Sequence, residues 1–371
     1  MKPLSIYIHI PFCETKCAYC DFPSFDDRAD RVDEYVDALC RELVILSNAK
    51  NLRCPQTIFL GGGTPSILTN SQISKIFAAI ERSFAFAQDD TEITIEANPN
   101  SITESKLRHW LSLGINRISV GVQSFDDEVL KVLGRMHTAK QAVNAIKLAF
   151  EVGFRNINID LIHSVPVTGH TVKHPAPLGH PSVSEGSFLG VLSLVTHVSA
   201  YSLIIEDGTV FAERFKPISD IQSIKQQKQI ERVLKQHGFH KYEVSNFAKR
   251  GLECKHNLAY WQPQSHEYIG FGLGAHSFID GKRFSNTSDF DNYLRLPSQR
   301  EGCPKGAGCL TVDAIMLGLR TTRGVELSLL KNKSAEIQFL KDLKLIKQKG
   351  GFIYATQKGF FVLNLVIDKL T

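Results

Sequence analysis

The sequence predicts an α/β fold built on a parallel sheet, and three observations lead there. Short β-branched runs alternate with amphipathic helical stretches through the first two-thirds of the chain, the pattern of right-handed βαβ units. The chain has 371 residues, 43% of them hydrophobic, and so can bury a large core without covalent staples. Six strand–helix units are counted, short of the eight of a closed barrel. The expected architecture is an open, partial (β/α)6 barrel followed by a C-terminal extension.

The expected strands are 5–10, 57–60, 92–96, 117–122, 156–162 and 197–205. Helical periodicity covers 29–46, 71–84, 103–113 and 126–152, and 221–236 after the sixth strand. The fifth crossover breaks the pattern. Residues 163–190 hold Pro166, Pro175, Pro177 and Pro181 together with His163, His170, His174 and His180. Prolines at that density exclude a regular helix and favour a solvated insertion over a metal or heme site. Beyond 240 the texture changes, which divides the chain into a core domain, 1–240, and a C-terminal domain, 241–371. A Gly/Pro-punctuated stretch, 296–310, precedes a small winged-helix-like unit. That unit is expected to hold a basic helix around 327–348 and a hairpin pairing 352–355 with 361–365.

Forty-three basic against 38 acidic residues leave a net charge of +5, too mild to indicate nucleic acid. The six lysines between Lys331 and Lys349 alternate with Glu336 and Asp342, as on a solvated helix face. No apolar run approaches the ~18 residues of a membrane span. Met1-Lys2-Pro3 leads into a strand rather than a signal peptide. Of the eight cysteines, Cys13, Cys17 and Cys20 crowd together and Cys40, Cys54, Cys254, Cys303 and Cys309 are scattered. That distribution points to a metal site in a reducing, cytoplasmic compartment rather than to a disulfide framework.

Cys13-x3-Cys17-x2-Cys20 follows the first strand directly, at the end where barrel active sites form. Thiolates suit zinc or iron–sulfur clusters. Zinc would need a fourth ligand, and His9 lies within the strand rather than in the loop. Three cysteines on a four-iron cube leave one iron open for a small ligand, so the pattern favours the cluster. Gly61-Gly62-Gly63-Thr64-Pro65 follows the second strand, where backbone N–H groups could approach a ligand. Glu96 ends the third strand, Gln123 the fourth, and Asp160 lies near the end of the fifth. Arg135 adds a cation able to meet a carboxylate. Polar side chains at successive strand ends point into one mouth.

The cysteine spacing resembles the signature of the radical S-adenosylmethionine (SAM) superfamily. The resemblance implies a six-strand partial barrel and a 4Fe-4S cluster whose open iron is chelated by SAM. The wording of Tyr7-Ile8-His9-Ile10-Pro11-Phe12-Cys13, Gly121-Val122-Gln123-Ser124-Phe125 and Tyr201-Ser202-Leu203 resembles the coproporphyrinogen III oxidase-like branch. So does that of Ser245-Asn246-Phe247-Ala248 and His256-Asn257-Leu258-Ala259-Tyr260-Trp261, and the likeness runs over nearly the whole chain. It implies that Tyr7, Tyr19, Gly62, Gly63, Thr64, Glu96, Gln123, Arg135 and Asp160 contact SAM. It assigns the cluster to Cys13, Cys17 and Cys20.

Within that branch a group of heme chaperones is to be separated from the oxygen-independent oxidases, which are radical SAM decarboxylases. The oxidases carry a fourth cysteine two positions after the third, where this chain has Phe22, and a longer segment before the cluster than the twelve residues here. The motif His256-Asn-x-x-Tyr260-Trp261 is associated with heme binding in the chaperone group. The implied function is binding heme and passing it to an acceptor hemoprotein, with an electron donor for the cluster and without oxidase activity. Where relatives read Asp-Leu-Ile-x-Gly-Leu-Pro, this chain reads Asp160-Leu161-Ile162-His163-Ser164-Val165-Pro166. The lost glycine implies an altered fifth crossover and a copy partly degraded in function.

Overall fold

The computed structural model describes residues 2–50, 54–84, 91–166, 188–302 and 310–371. Most of the Pro/His-rich insertion, part of the 296–310 stretch, and Cys303 and Cys309 lie outside the described residues. The six expected strands form as β1 (Leu4–Ile10), β2 (Pro55–Gly62), β3 (Glu92–Ala97), β4 (Arg117–Gln123), β5 (Asn156–His163) and β6 (His197–Ser202). All are parallel neighbours in chain order. The sheet does not end there. β7 (His240–Lys241) and β8 (Asn246–Ala248) add antiparallel beyond β6. On the other side β9 (Glu267–Phe271) pairs parallel with β1. Antiparallel β10 (His276–Ile279), β11 (Lys282–Asn286) and β12 (Arg300–Gly302) follow it. The result is an open twelve-stranded sheet containing strands from both sides of residue 240.

Residues along the six strands alternate in character. Ile6, Ile8, Ile10, Ile58, Leu60, Ile93, Ile95, Ile118, Val120, Ile157 and Ile159 are buried in one core. That core also takes in the inner stripes of α1 (Val32–Lys50), α2 (Asn70–Ser83) and α3 (Glu104–Ser112). The intervening positions are polar: Ser5, Tyr7 and His9; Glu92, Thr94 and Glu96; Arg117, Ser119 and Gln123; Asn158 and Asp160; His197, Ser199 and Tyr201. These face a common lumen. Across this face Ser119 of β4 donates to Asp160 of β5 (3.0 Å), and His197 of β6 pairs with Asn158 Oδ1 of β5 (2.6 Å).

Two expectations need correction. The stretch 126–152 is not one helix but α4 (Asp127–Val132) and α5 (Ala139–Val152). Gly134 turns the chain at φ +71°, and Thr138 starts α5 with a full capping box to Gln141. The break leaves Arg135 outside both helices. In the C-terminal unit the basic stretch is a 3-10 turn (Leu327–Leu330), a helix (Ser334–Asp342) and then a strand (Ile346–Lys349), because Lys344 at φ +58° ends the helix. That strand pairs with Phe352–Ala355 across Gly350-Gly351, both at positive φ as a tight hairpin turn requires. The expected second arm is instead helix Leu363–Leu370, burying Leu363, Val366, Ile367 and Leu370 along one stripe. A separate apolar core serves this unit.

Glu42 on α1 joins the parallel sheet to its β9–β12 extension. Its side chain is 0% exposed and accepts hydrogen bonds from Gly272 N–H (2.8 Å), Tyr293 O–H (2.8 Å), Asn286 Nδ2 (2.8 Å) and Arg300 Nη2 (3.3 Å). Burial pushes its carboxyl up to about 7, against the pull of Arg300 and these donors. Glu42→Ala strands four donors and should cost about 3–5 kcal/mol in urea unfolding; a loss under ~1 kcal/mol would remove the carboxylate from this account. Because the folded state holds the Glu42 proton more tightly than the unfolded chain, stability should fall as pH rises from 4.5 towards 7. Glu42→Gln should flatten that slope.

Candidate cluster and cofactor site

The cysteine loop begins where β1 ends and is closed at its base by backbone pairing. Phe25 N–H donates to Pro11 O (2.7 Å) and Cys13 N–H to Phe25 O (2.9 Å). Cys20 N–H turns back to Cys17 O (3.0 Å), and Phe211 N–H holds Ala18 O (3.0 Å). His9 anchors the far side. Its Nε2–H donates to Pro23 O (2.9 Å), which leaves Nδ1 to accept from the Tyr7 hydroxyl (3.0 Å). Burial lowers the His9 pKa, consistent with this neutral tautomer.

The glycine loop clamps this arrangement. Gly63 N–H donates to Ile10 O (2.8 Å), Thr64 N–H to Phe12 O (2.7 Å) and Gly62 N–H to Glu96 Oε2 (3.1 Å). The N–H groups expected to face a ligand are thus used inside the protein. The glycines are needed all the same. Gly62 sits at φ +110° with the His9 ring where a Cβ would go, and a Cβ on Gly63 would come within 2.6 Å of Phe12 O.

One chain of hydrogen bonds ties two cysteines together. Thr64 Oγ1 donates to Cys13 Sγ (3.5 Å) and accepts from Asn98 Nδ2 (3.2 Å). Asn98 Oδ1 accepts from Arg135 Nη2 (2.6 Å), and Arg135 Nη1 reaches Cys17 Sγ (3.2 Å). Arg135 is fixed further by Gly121 O (2.9 Å). Asn98 was missed in the sequence, although its place two residues after Glu96, at the same strand end, is a signal of the same kind. Tyr19 packs beside Cys17 and Arg135, and burial raises its hydroxyl pKa. Gln123 closes β4 at φ +65°, with His137 Nε2 bonded to the preceding Val122 O (2.9 Å).

Burial raises the Cys13 and Cys20 thiols, and each feels the charge of its neighbouring cysteines. Among the described residues no three His, Cys, Asp or Glu side chains are placed to share a single metal ion. A four-iron cube does not ask that of them, since each thiolate takes a different iron. Three soft ligands with hydrogen bonds on two sulfurs fit such a cluster. Deeper in the lumen, burial pushes Glu96 up to about 8, with Asp160 adding to the rise. Asp160 itself is raised by burial while Asn158 Nδ2 (2.8 Å) and Ser119 Oγ (3.0 Å) donate to it. Arg135 Nε, Thr94 Oγ1 and Ser5 Oγ are buried without a partner. The buried carboxyls of Glu96 and Asp160 suit the ammonium of a ligand such as SAM, and the spare Nε–H of Arg135, held at the cysteine loop, suits its carboxylate.

His256, on the helix Lys255–Tyr260, lies against the lumen face of β1, β2 and β3, away from the cysteine loop. It is 1% exposed, stacked on Phe59 with centroids 4.9 Å apart. Nδ1 pairs with Thr57 Oγ1 (2.7 Å) and Nε2 with the Tyr260 hydroxyl (2.9 Å), while Glu92 Oε1 accepts from its backbone N–H (3.1 Å). Burial lowers its pKa to about 3. With both nitrogens engaged, His256 as placed offers no lone pair to a heme iron.

The closed chain from Cys13 to Cys17 makes Asn98 the test of this geometry. Asn98→Ala should free both Thr64 and Arg135 and lower the iron and sulfide bound per chain after anaerobic reconstitution severalfold. The melting temperature should move little, because Asn98 is only half-buried. Unchanged iron content and an unchanged visible spectrum would show that the chain does not position the cysteines.

Known proteins resemble this chain in both sequence and fold. The family model of the radical SAM superfamily matches residues 7–174. The protein named heme chaperone HemW from Bacillus subtilis (strain 168) is 36% identical over 382 residues, covering 98% of this chain and 97% of that protein. The one so named from Escherichia coli (strain K12) is 37% identical over 298 residues, covering 77% and 74% respectively. In fold, the chain superposes on the solved structure of coproporphyrinogen III oxidase (HemN) from Escherichia coli with a TM-score of 0.79 at 23% identity, over 100% of this chain and 90% of that one. The chain belongs to the radical SAM superfamily and, within it, to the HemW family.

Proposed function

We propose that this protein binds heme and passes it to an acceptor hemoprotein, and that it carries a 4Fe-4S cluster on Cys13, Cys17 and Cys20 with SAM at the open iron. The near full-length similarity to proteins named heme chaperones supports the first part. The observation that carries it against the oxidase alternative is position 22. Phe22 stands where the oxidases are expected to have a fourth cysteine, and its side chain is 65% exposed beside the cysteine loop. It offers apolar surface where the oxidase pattern would offer a thiol.

When bound, the cluster and SAM would supply one-electron chemistry. This chain's residues would orient them: Thr64 and Arg135 by hydrogen bonds to sulfur, Glu96 and Asp160 by facing the ammonium of SAM. Tyr7 would line the approach, with Gly62 and Gly63 holding it in shape and Tyr19 and Gln123 flanking it. The electron donor and the acceptor are partners of this reading, and a cytoplasmic setting suits reduced thiols. Among the described residues no helix is long and apolar enough to cross a membrane.

The test is a parallel titration of the anaerobically reconstituted protein with heme and with coproporphyrinogen. The expected result is a saturable Soret band at one heme per chain with no conversion of propionate to vinyl groups. Vinyl product formed with release of 5′-deoxyadenosine would replace this reading with the decarboxylase.

A further inference from the structure

Between the cysteine loop and the β9–β10 turn lies a cavity of about 300 Å³. Its walls are aromatic: Tyr260 meets Tyr268 edge-on with ring centroids 4.7 Å apart, and exposed Phe22 stands among the lining residues. Three histidines surround it. His9, in the wall, has both nitrogens committed to Tyr7 and Pro23. His256, in the lumen beneath Tyr260, has both committed to Thr57 and Tyr260. His276, the first residue of β10, is exposed, and its imidazole makes no hydrogen bond among the described residues, only its backbone pairing with Ser285. Of the three, it alone presents free imidazole nitrogens to the cavity.

We propose that heme docks in this cavity with the His276 imidazole as its iron ligand. The inference rests on the heme reading above and names the site for it. The chemistry is that of a flat apolar macrocycle with a central metal: aromatic side chains bury a porphyrin edge, and imidazole is an ordinary axial ligand of heme iron. His276 is held ready by its turn, where Gly274 N–H bonds to Thr287 O (2.9 Å) and Ala275 N–H to Gly272 O (3.2 Å). His256 acts as a positioning residue, fixing the Tyr260 hydroxyl and thereby the wall.

The cavity accommodates an edge of the macrocycle rather than the whole of it, and one imidazole occupies one face of the iron. The opposite face stays open to an acceptor. Transfer is then a ligand exchange. A donor atom of the acceptor bonds to iron, the iron–His276 bond breaks with the electron pair returning to the imidazole, and the oxidation state of iron does not change.

The test titrates hemin into the full chain, wild type and His276→Ala, following the Soret band and the low-temperature EPR spectrum. The expected result is at least a tenfold loss of affinity with a shifted Soret band in the variant. Added imidazole should restore the wild-type spectrum. His276 is exposed, so the variant should fold, and circular dichroism checks this. Wild-type affinity and spectrum in His276→Ala would overturn the site while leaving heme binding intact. Absence of saturable one-to-one binding in the wild type would overturn the heme reading itself and the site with it.

Discussion

Period-two alternation along strands that belong to a parallel sheet is the constraint on which the rest of the molecule depends. Parallel strands covered on both faces are ordinarily apolar throughout. Here one face of each strand, such as Ile93 and Ile95 or Ile157 and Ile159, is buried under helices. The other face carries Glu92, Thr94 and Glu96, or Asn158 and Asp160. Filling the lumen with isoleucine would be worth roughly 1.5–3 kcal/mol per side chain in burial. The polar lining forgoes that gain. Several of its atoms, among them Arg117 Nε and Thr94 Oγ1, are buried without partners, which in a native interior calls for a bound species or water. The lumen is therefore organised around something other than its own stability.

The cysteine loop is subordinate to that lumen. It has little secondary structure of its own, and it is held from three sides by groups that begin on the strands. His9 grips Pro23 from inside β1, the glycine loop grips Ile10 and Phe12 from the end of β2, and Asn98 with Arg135 reaches Cys17 from the ends of β3 and the β4 crossover. Cluster position is thus linked to the register of four strands. A shift in one of them would be felt as a change of hydrogen bonding at sulfur, which is among the terms that set a cluster's potential.

Much of this was legible in the sequence because it is local. The six strands, the Cys13–Cys20 spacing and the strand-end positions of Glu96 and Gln123 all follow from short-range patterns. What was not legible depends on distant partners. Gly134 inside a helical pattern is a tolerated residue until the Thr138 capping box shows that a second helix begins. The lysines of 344–349 match a solvated helix face as well as the exposed face of the strand Ile346–Lys349, and only pairing with Phe352–Ala355 decides between them. The motif around His256 carries flat aromatics of the kind that suit a heme ligand. The engagement of His256 by Thr57, 199 residues away, has no trace in the motif.

The departure after Asp160 shows how a local rule can be broken without breaking the fold. Ser164 stands where relatives are expected to have glycine, and its φ of +67° is the left-handed conformation that glycine would take without strain. A non-glycine residue there costs of order 1–3 kcal/mol unless its surroundings hold it. They do. Ser164 N–H donates to Gln226 Oε1 (2.7 Å), and its hydroxyl meets His163 Nδ1 (2.8 Å), Ser223 Oγ (2.7 Å) and Ser202 Oγ (3.1 Å). Net hydrogen bonds of about 1 kcal/mol each are enough to offset the strain. They also tie the end of β5 to β6 and to the helix Asp220–Gln236, a link that a glycine without a side chain could make only through its backbone. The end of the fifth strand therefore keeps its geometry, and Asp160 keeps its place in the lumen, even though the sequence around them has changed.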